Sequence, residues 1–482
     1  MPGRGCRPPG HPLLTVIAVL AAVEVASGVI QGYYGPVMVD IAHVHDVRYA
    51  DLNWLDACQL VFSALVVPPL ARLGDLVGHR RVLLAATAVA AAATWGIALA
   101  PAYPLLLLAW TLQGVYIVWL PLEIAIVHRR AEGHPDQGRL TRRGAAILVA
   151  TLELSVIAAA VAAGQLADRL SMTTLLVVPA VIVTLCLPLL ALLDEVPPVR
   201  TEGRVGFDWA GLALMALAVL SVLGGLVLVR LLGAGSAPAW LMVLAGLVLL
   251  VPWWRHEAAH PDPMVDVRLL AQPAQWSIQA TSFLIGMSLL GAQVPLQTYF
   301  RSDPDVHGFG FGLSAAAGSG RTALYVACLA IGALTLAPLS RILGARRAMV
   351  AGCLATAAGY ALWLPLHGSP GAAWGVMALI GLGTGGLVAA VPAAAASVAP
   401  VERIGAAAGL TNATKAIGGG LASSVFALCL AATGSDRASA GSLEGYFAVW
   451  TICSVAAAAA AVVLLVTARV AVPADPARSP SG

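Results

Sequence analysis

The sequence predicts an all-α membrane protein with fourteen transmembrane helices. The chain has 482 residues, of which 59% are hydrophobic and only 11% are charged, and its mean hydropathy is +0.86. A soluble domain carries roughly 25% charged residues, so this composition argues against a soluble globular enzyme. Long apolar stretches recur along the chain, and about 20 apolar residues suffice for one helix to cross a bilayer. A transmembrane barrel would show alternating segments of about 10 residues instead.

Charged, Pro-rich and Gly-rich interruptions divide the chain into its predicted spans. These lie at residues 13–38, 52–70, 82–100, 104–127, 144–167, 172–193, 209–229, 238–254, 274–299, 314–340, 348–366, 373–398, 405–431 and 443–468. The first span follows Arg4 and Arg7, which resembles a signal peptide, but no small-residue cleavage site follows it. We therefore interpret the first span as an uncleaved helix.

The distribution of basic residues supports this count. Basic residues accumulate in cytoplasmic loops, and the two terminal segments together with every second loop hold 20 of the 27 basic residues. The intervening loops hold five, namely Arg48, Arg169, Arg230, Arg301 and Arg437. Both termini are therefore expected in the cytoplasm. All basic residues except Lys415 are Arg, which we interpret as the composition of a GC-rich bacterial genome, and we expect a multi-pass protein of the bacterial plasma membrane.

One segment of eleven residues occurs twice. Residues 71–81 (ARLGDLVGHRR) correspond to residues 337–347 (APLSRILGARR), and each copy follows an even-numbered helix into a predicted cytoplasmic turn. The positions that match in register are Ala71/Ala337, Leu73/Leu339, Gly78/Gly344, Arg80/Arg346 and Arg81/Arg347. Many transporters consist of duplicated halves with the substrate site between them near the bilayer midplane.

The first copy resembles a motif of the major facilitator superfamily, which lies between helices 2 and 3. The matching residues are Gly74, Asp75, Gly78, Arg80 and Arg81. Fourteen helices in a six, two, six arrangement are similar to the drug:proton antiporter branch of this family, and the segment from Thr411 to Gly418 is similar to the start of its thirteenth helix.

This resemblance implies two pseudo-symmetric six-helix bundles. They would comprise residues 1–195 and 261–482, with a linker and two inserted helices at 196–260. It implies a secondary transporter that works by alternating access and exports a small organic or drug-like compound, as in multidrug efflux, in exchange for protons. We expect a monomer in the lipid bilayer, without a cofactor and without enzyme activity.

The physics of the motif favours a gate. Its glycine-containing turn lets two helix ends approach closely, Asp75 can lie near the N-terminus of a neighbouring helix, and Arg80 and Arg81 can bridge to carboxylates. Contacts that form in one conformation and break in another would control access. The alternative is that these arginines only determine topology.

Three departures from the family pattern concern the coupling mechanism. Trp110 stands where the family has an Arg, three residues before Gln113, and the helix-5 segment from Ala159 to Gly164 lacks the usual Pro. The usual first-helix Asp is missing, although Glu24 lies nearby. These departures favour a facilitator or an importer with other coupling as the alternative function. A transport-inactive sensor is a further alternative, but no loop is long enough for a soluble domain.

Four ionisable residues within the spans are candidates for function, because a charge near the bilayer centre costs at least ~2.5 kcal/mol. Glu24 lies eleven residues into helix 1, where burial favours the neutral acid, and we expect it to carry a proton or bind a cation. Glu153 in helix 5 and Arg321 in helix 10 are predicted to meet between the halves, as a releasable pair or as a static salt bridge. Glu123 is expected to bridge to the arginine turns.

The family architecture implies a cavity lined by helices 1, 4, 9 and 12. The candidate lining residues are Gln31, Trp110, Gln113, Gln279, Gln293 and Gln297. Aromatic rings beside a few amides suit a bulky amphipathic or cationic substrate. We interpret Tyr33, Tyr34 and Trp119 as residues of the membrane interface.

Several motifs are not interpreted as sites. Residues 256–260 (HEAAH) match a zinc-protease pattern, but Pro261 follows at once and no third ligand is apparent, so no metal site is predicted. Residues 381–386 (GLGTGG) match a nucleotide-binding pattern without a preceding strand, and we expect close helix packing there. The seven cysteines form no CxxC, Lys415 is not part of a P-loop, and a net charge of +3 does not indicate nucleic-acid binding.

Overall fold

The computed structural model describes residues 13–132, 134–195, 208–261, 263, 265, 267–399, 404–432 and 440–467. Within these residues the chain forms α-helices and short 3₁₀ turns, and no strand occurs in them. Eight basic residues used to predict the topology lie outside the described residues, namely Arg4, Arg7, Arg200, Arg204, Arg403, Arg437, Arg469 and Arg478.

Fourteen of the described helices are long and apolar enough to cross a membrane, which confirms the predicted fold class and count. They are Leu13–Val44 (α1), Tyr49–Val77 (α2), His79–Leu99 (α3), Tyr103–Arg130 (α4), Gln137–Ala167 (α5), Met172–Ala191 (α6), Trp209–Leu232 (α7), Ala237–Ala259 (α8), Pro273–Arg301 (α9), Ala315–Leu343 (α10), Ala345–Leu366 (α11), Pro370–Ser397 (α12), Ile404–Ala432 (α13) and Leu443–Val466 (α14). Two short helices, Val267–Leu270 and Pro304–His307, lie in the connections on either side of α9.

Several helices extend beyond their apolar runs. Helix α2 continues to Val77 rather than ending at residue 70, and α5 begins at Gln137 rather than at residue 144. An apolar run marks the part of a helix that lies in hydrocarbon, whereas backbone hydrogen bonds can continue beyond it. The extra turns therefore carry charged residues such as Arg72 and Arg142 out of the bilayer.

Helix α4 changes from α to 3₁₀ geometry in its middle, at Gly114–Val118. Two side chains of α2 contact the start of this 3₁₀ segment. Gln59 donates to the carbonyl of Trp110 at 3.2 Å, and Ser63 Oγ donates to the carbonyl of Gly114 at 2.8 Å. Irregular backbone at membrane depth is tolerated where such partners are supplied by protein. A Cβ at Gly114 would lie 2.7 Å from Ser63 Oγ, so glycine allows this approach.

Helix α12 packs closely against α10 and α11 through the glycines of residues 381–386. A Cβ at Gly385 would lie 1.9 Å from the carbonyl oxygen of Leu329, and one at Gly383 would lie 2.6 Å from Thr356 Oγ1. The segment lies in the middle of a helix, which agrees with a packing role and not with a nucleotide-binding loop.

The helices form two groups joined along two pairs. We call α1–α6 the first helix group, α9–α14 the second helix group, and α7 and α8 the inserted pair. The two groups contact each other chiefly along α2–α13 and α5–α10, while the inserted helices pack on each other and α7 touches α2 and α13. Arg230 of α7 donates to Asp51 of α2 at 3.0 Å. The domain boundaries at residues 195 and 260 stay a prediction, and residues 196–207 lie outside the described part of the chain.

Consecutive helices cross in opposite directions, so their ends alternate between two ends of the molecule. We call one of them the arginine-rich end and the other the opposite end. The arginine-rich end carries Arg72, Arg80, Arg81, Arg129, Arg130, Arg139, Arg142, Arg143, Arg341, Arg346 and Arg347.

The repeated motif has the same conformation in both copies. Gly78 (φ +111°) and Gly344 (φ +84°) adopt backbone angles that favour glycine, and each ends one helix and begins the next. Arg80 and Arg346 each donate to backbone carbonyls at the last turn of the final helix of their group. These carbonyls belong to Leu190, Ala191, Leu464 and Leu465. The sequence repeat is therefore also a structural repeat.

Substitution of Gly385 tests the packing of α12. We expect Gly385→Ala to lower the thermal unfolding temperature in detergent, because the added methyl group has no space beside Leu329 and overpacking costs about 1–3 kcal/mol. Gly375→Ala in the same helix is the matched control, since nothing lies within 4 Å of its Cβ position. Equal unfolding temperatures for the two variants would contradict the packing role.

Candidate functional site

Two acidic side chains meet inside the first helix group. Glu24 of α1 and Glu123 of α4 are both fully buried, each with 0% exposure, and their carboxyl groups interact with each other. Ser27 lies beside Glu24. None of the four carboxyl oxygens has a well-aligned hydrogen bond within the described part of the chain.

The predicted bridge from Glu123 to the arginine turns is wrong. The nearby arginines have other partners: Arg129 pairs with Glu132, and Arg130 donates to the carbonyl of Asp194. Glu123 lies in the helical part of α4 that follows the 3₁₀ turn, and there it faces α1. The bend and rotation introduced by that turn are not visible in a hydropathy pattern.

The surroundings of the acid pair favour a shared proton. The pair lies among the buried apolar residues of α1, α3, α4 and α6, such as Leu20, Leu83 and Trp119. Two adjacent carboxylates in an apolar site cannot both be ionised at low cost. The arrangement can therefore hold a proton on one of the two acids.

A third carboxylate, Asp56 of α2, lies near the same site and is missing from the sequence-based candidates. Tyr116 of α4 interacts electrostatically with both Asp56 and Glu24. Asp56 is half-buried. Asp56 lies within the predicted span of residues 52–70, so the sequence alone could have identified it as an ionisable residue in the membrane.

Glu153 interacts with Lys415 rather than with Arg321. Glu153 lies on α5 of the first helix group and Lys415 on α13 of the second, and they influence each other through space without a direct ion pair among the described residues. Tyr325 of α10 also interacts with Glu153. An acidic and a basic side chain thus interact across the junction of the two helix groups.

The predicted pair of Glu153 and Arg321 is therefore wrong, because the two residues lie at different distances from the opposite end of the molecule. Glu153 is 14 residues from the end of α5 at Ala167, whereas Arg321 is 6 residues from the start of α10 at Ala315. A difference of eight residues corresponds to about 12 Å along a helix.

Arg321 lies instead among aromatic rings. Its guanidinium carbon is 4.9 Å from the ring centre of Trp374 and 5.8 Å from those of Phe300 and Phe311. Such cation–π contacts offset part of the cost of burying the charge. Arg321 therefore anchors α10 near the opposite end.

Lys415 lines a narrow cleft of about 10 Å³ between α9, α12 and α13, which has room for about one water molecule. Its other lining residues are the polar Ser282, Thr411 and Asn412 and the apolar Ile285, Leu387, Val388, Val391 and Pro392. The backbone of Lys415 is held in place, because a Cβ at Gly286 would lie 2.1 Å from its carbonyl oxygen. The walls of the cleft are mostly apolar, and in this conformation it is too narrow for an organic compound.

Most of the predicted cavity residues contact other protein groups. Gln113 donates to Tyr34 at 3.2 Å and to Thr94 at 2.9 Å, so it lies inside the first helix group. Trp110 packs on Tyr34, with ring centres 4.8 Å apart. Both residues therefore belong to internal packing in this conformation.

The four other predicted cavity residues have the following partners. Gln31 donates to Ser27, Gln279 accepts from Thr414, Gln293 donates to the carbonyl of Leu289, and Gln297 donates to Thr322. Gln31 is exposed, and Gln279 and Gln297 are buried. Gln31 lies on α1 and the other three on α9, and the Gln297 side chain lies beside Gly35 of α1.

The interpretation of Tyr33, Tyr34 and Trp119 as interface residues is wrong. All three are buried, with exposures of 2%, 2% and 0%. They lie in apolar clusters where helices meet, because large rings fill the gaps that small residues of α3 and α5 leave.

The predicted gating motif contacts its own helix group. Asp75 pairs with His79 at 3.2 Å, which places its carboxylate at the N-terminus of α3. The backbone N–H of Arg81 donates to Glu195 at 3.0 Å. The expected contact of Asp75 with a helix N-terminus is thus present, and Arg81 Nε lies 4.0 Å from a carboxylate oxygen of Glu195. Arg80 instead donates to backbone carbonyls of α6. These contacts join α2 and α3 to the end of α6.

At the opposite end an ion pair joins the two helix groups. Arg301 at the end of α9 donates through both terminal nitrogens to Asp40 in the last part of α1, and the bond from Nη2 to Oδ1 is 2.9 Å. Arg301 also donates to the carbonyl of Pro36 at 2.9 Å. The bidentate geometry makes this one of the stronger polar contacts in the molecule.

Solved structures with a similar fold are transporters. A structure described as an auto-inhibited POT family peptide transporter has a TM-score of 0.66 and 16% identity, covering 96% of this chain and 98% of that chain. The nucleoside transporter NupG has a TM-score of 0.64 and 13% identity, with coverages of 94% and 98%. The POT family transporter PepTSo has a TM-score of 0.63 and 15% identity, with coverages of 95% and 98%. These identities show a common fold and no more.

No curated protein sequence matches the chain significantly. A family model described as Major Facilitator Superfamily matches residues 20–423 and, in a second match, residues 277–481. The chain therefore belongs to the major facilitator superfamily, as the motif at residues 74–81 implies.

Proposed function

We propose that this protein is a proton-coupled secondary transporter that exports a small organic or drug-like compound by alternating access. It acts in the bacterial plasma membrane, with its arginine-rich end and both termini in the cytoplasm. The observation that carries the proposal is the buried pair of Glu24 and Glu123, because an apolar site with two carboxylates binds and releases a proton more readily than it holds any other ion.

The junction of the two helix groups supports a substrate site close to this proton site. Glu153 and Lys415 face each other there, and the cleft beside Lys415 has apolar walls. A substrate with both apolar and charged parts can displace the interaction between the two side chains. Charged groups at membrane depth that face a junction or cleft commonly mark a substrate path.

The positions of the polar contacts support alternating access. Arg301 and Asp40 join the two helix groups at the opposite end, whereas Arg81 contacts Glu195 within the first helix group at the arginine-rich end. A junction that is held together at one end is free to open at the other. We infer that the conformation is closed towards the outside.

A facilitator or importer is the second candidate function. Trp110 packs internally, in the position where the antiporter branch has an Arg. The similar solved structures are described as peptide and nucleoside transporters, and opposite charges across the junction would suit a zwitterionic compound. Proton movement in the opposite direction to the substrate separates the export hypothesis from this alternative.

Substitution of Glu24 tests the proton site. In inside-out vesicles with an imposed pH gradient, a transported lipophilic cation or antibiotic should collapse the gradient in the wild type. We expect Glu24→Gln and Glu123→Gln each to abolish this collapse. Each substitution leaves a single carboxyl group, so the pair that shares the proton no longer exists. Substrate binding should persist in both variants, since the cleft beside Lys415 is unchanged.

The matched control is Glu444→Gln, which removes an exposed acid at the start of α14. It should leave the collapse of the gradient unchanged. If Glu24→Gln also retains pH-driven flux, the proposed proton site is wrong. Substrate flux without any proton movement in the wild type would favour the facilitator.

Charge reversal at Arg301 tests the closure of the opposite end. Arg301→Asp places a second acid beside Asp40. Because the two carboxylates repel each other, we expect the two helix groups to separate at the opposite end. Spin labels on Val44→Cys and Val306→Cys, both at exposed positions, would report the change as a longer distance in pulsed electron resonance.

The reciprocal variant provides the control. Asp40→Arg combined with Arg301→Asp restores opposite charges and should return the distance between the labels to that of the wild type. A distance that is unaffected by Arg301→Asp would show that the ion pair does not hold this end closed.

A further inference from the structure

The inserted pair brings two histidines and an aspartate together at the arginine-rich end. His256 and His260 lie one turn apart at the end of α8, and Asp208 immediately precedes α7. His256 Nε2 is 2.9 Å from Asp208 Oδ1, and one ligand atom from each of the three residues lies within 4.8 Å of the others. The expectation that the HExxH segment has no third ligand is therefore wrong.

The local fold explains this convergence. Helices α7 and α8 pack side by side as an antiparallel hairpin, so the start of one lies beside the end of the other. Asp208 caps α7, because its Oδ1 accepts from the backbone N–H of Gly211 at 2.8 Å. Residues four apart on a helix share a face, so His256 and His260 both lie towards Asp208. The third ligand is 48 residues away in sequence, which is why spacing alone did not show it.

One oxygen of Asp208 has no hydrogen-bond partner in the part of the chain that the structure describes. The Asp208 side chain is 3% exposed, and its Oδ2 forms no hydrogen bond with any described residue. The carboxyl of Glu257 lies close by, because Asp208 Oδ2 and Glu257 Oε1 would be 2.4 Å and 2.6 Å from a Cβ at Gly211. Burying Asp208 Oδ2 without a donor, next to the carboxyl group of Glu257, is unfavourable. A positively charged group bound beside these oxygens would offset that cost.

We propose that Asp208, His256 and His260 bind a divalent transition-metal ion, of which zinc is the prototype. Two imidazole nitrogens and one carboxylate oxygen form a ligand set that suits Zn²⁺ and its neighbours rather than Mg²⁺ or Ca²⁺. Ligand atoms around zinc lie about 3.4 Å apart when each bond is about 2.1 Å long, so small rotations of the imidazole rings bring the three residues into position. The two histidines are half-buried and leave a path for the ion from water.

Burial and two hydrogen bonds act in opposite directions on the carboxyl group of Asp208. Burial raises the pKa of this carboxyl, but the Gly211 amide and the His256 imidazole more than offset burial, and the resulting pKa lies below the ordinary value.

The site would hold the inserted pair together rather than act as a protease. Glu257, which is the general base in the protease pattern, is 1% exposed and accepts from the backbone N–H of Val265 at 3.2 Å. The Glu257 carboxyl group is therefore hydrogen-bonded within the protein and inaccessible to a substrate. Arg268 donates to the carbonyls of Ala258 and His260, so the metal would also fix the connection towards α9. Metal binding at this site is independent of the proposed substrate site and of the pair of Glu24 and Glu123.

Metal binding can be measured directly on the full chain. The protein is purified in detergent with a tag that contains no histidine, and is then titrated with Zn²⁺ or with Co²⁺, whose visible absorption reports its ligand geometry. We expect one ion per chain and a higher thermal unfolding temperature with the ion bound. His256→Gln and His260→Gln should each weaken binding at least about tenfold and remove the gain in unfolding temperature.

Two further variants make the result specific. Asp208→Asn keeps a residue that can cap α7 but removes the carboxylate, so it should weaken metal binding while the protein stays folded. His134→Gln removes an exposed histidine at the same end of the molecule and should bind metal as the wild type does. Absence of stoichiometric binding by the folded wild type, or equal binding by the His256, His260 and Asp208 variants, would overturn the proposal and leave an ordinary ion pair that caps a helix.

Discussion

Hydrocarbon offers no hydrogen-bond partner to a backbone N–H or C=O group, and the architecture of this protein depends on that constraint. Helices satisfy these groups within one segment, and where α4 departs from α geometry, Gln59 and Ser63 supply the donors. Lipid also gives helices no hydrophobic reason to associate, so their contacts rest on close packing. Glycines at 286 and 385, which would weaken a helix in water, are therefore the positions that let neighbouring backbones meet.

The same constraint applies to charged side chains, and the protein uses three arrangements for them. Glu24 lies against another acid, Glu153 faces a base on the other helix group, and Arg321 lies among aromatic rings. The first arrangement requires a proton, while the second depends on how the two helix groups are placed. The third requires neither, because aromatic neighbours on the same helix group move with the arginine. In the proposed mechanism, only the first two arrangements change during the transport cycle.

Hydropathy and the distribution of arginine were enough to predict the number and order of the helices, because both report the bilayer itself. Side-chain partners were harder to predict. A partner depends on the rotation of each helix, which advances by about 100° per residue, and on the depth of each residue relative to its neighbours. Glu123 faces α1 only after the 3₁₀ turn of α4, and Asp208 meets His256 only because two helices form a hairpin.

The proposed proton site and substrate site are linked by a close contact between α1 and α5. A Cβ at Gly28 or Gly32 of α1 would lie 2.5 Å from Ser155 Cβ or 2.2 Å from the carbonyl oxygen of Val156. Gly28 is one turn from Glu24, and Ser155 is two residues from Glu153. Close packing between these positions therefore restricts the sliding of α1 along α5. In the proposed mechanism a shift of α1 on protonation is therefore transmitted to α5, and the position of Glu153 relative to Lys415 changes with it. Coupling then needs no direct contact between proton and substrate.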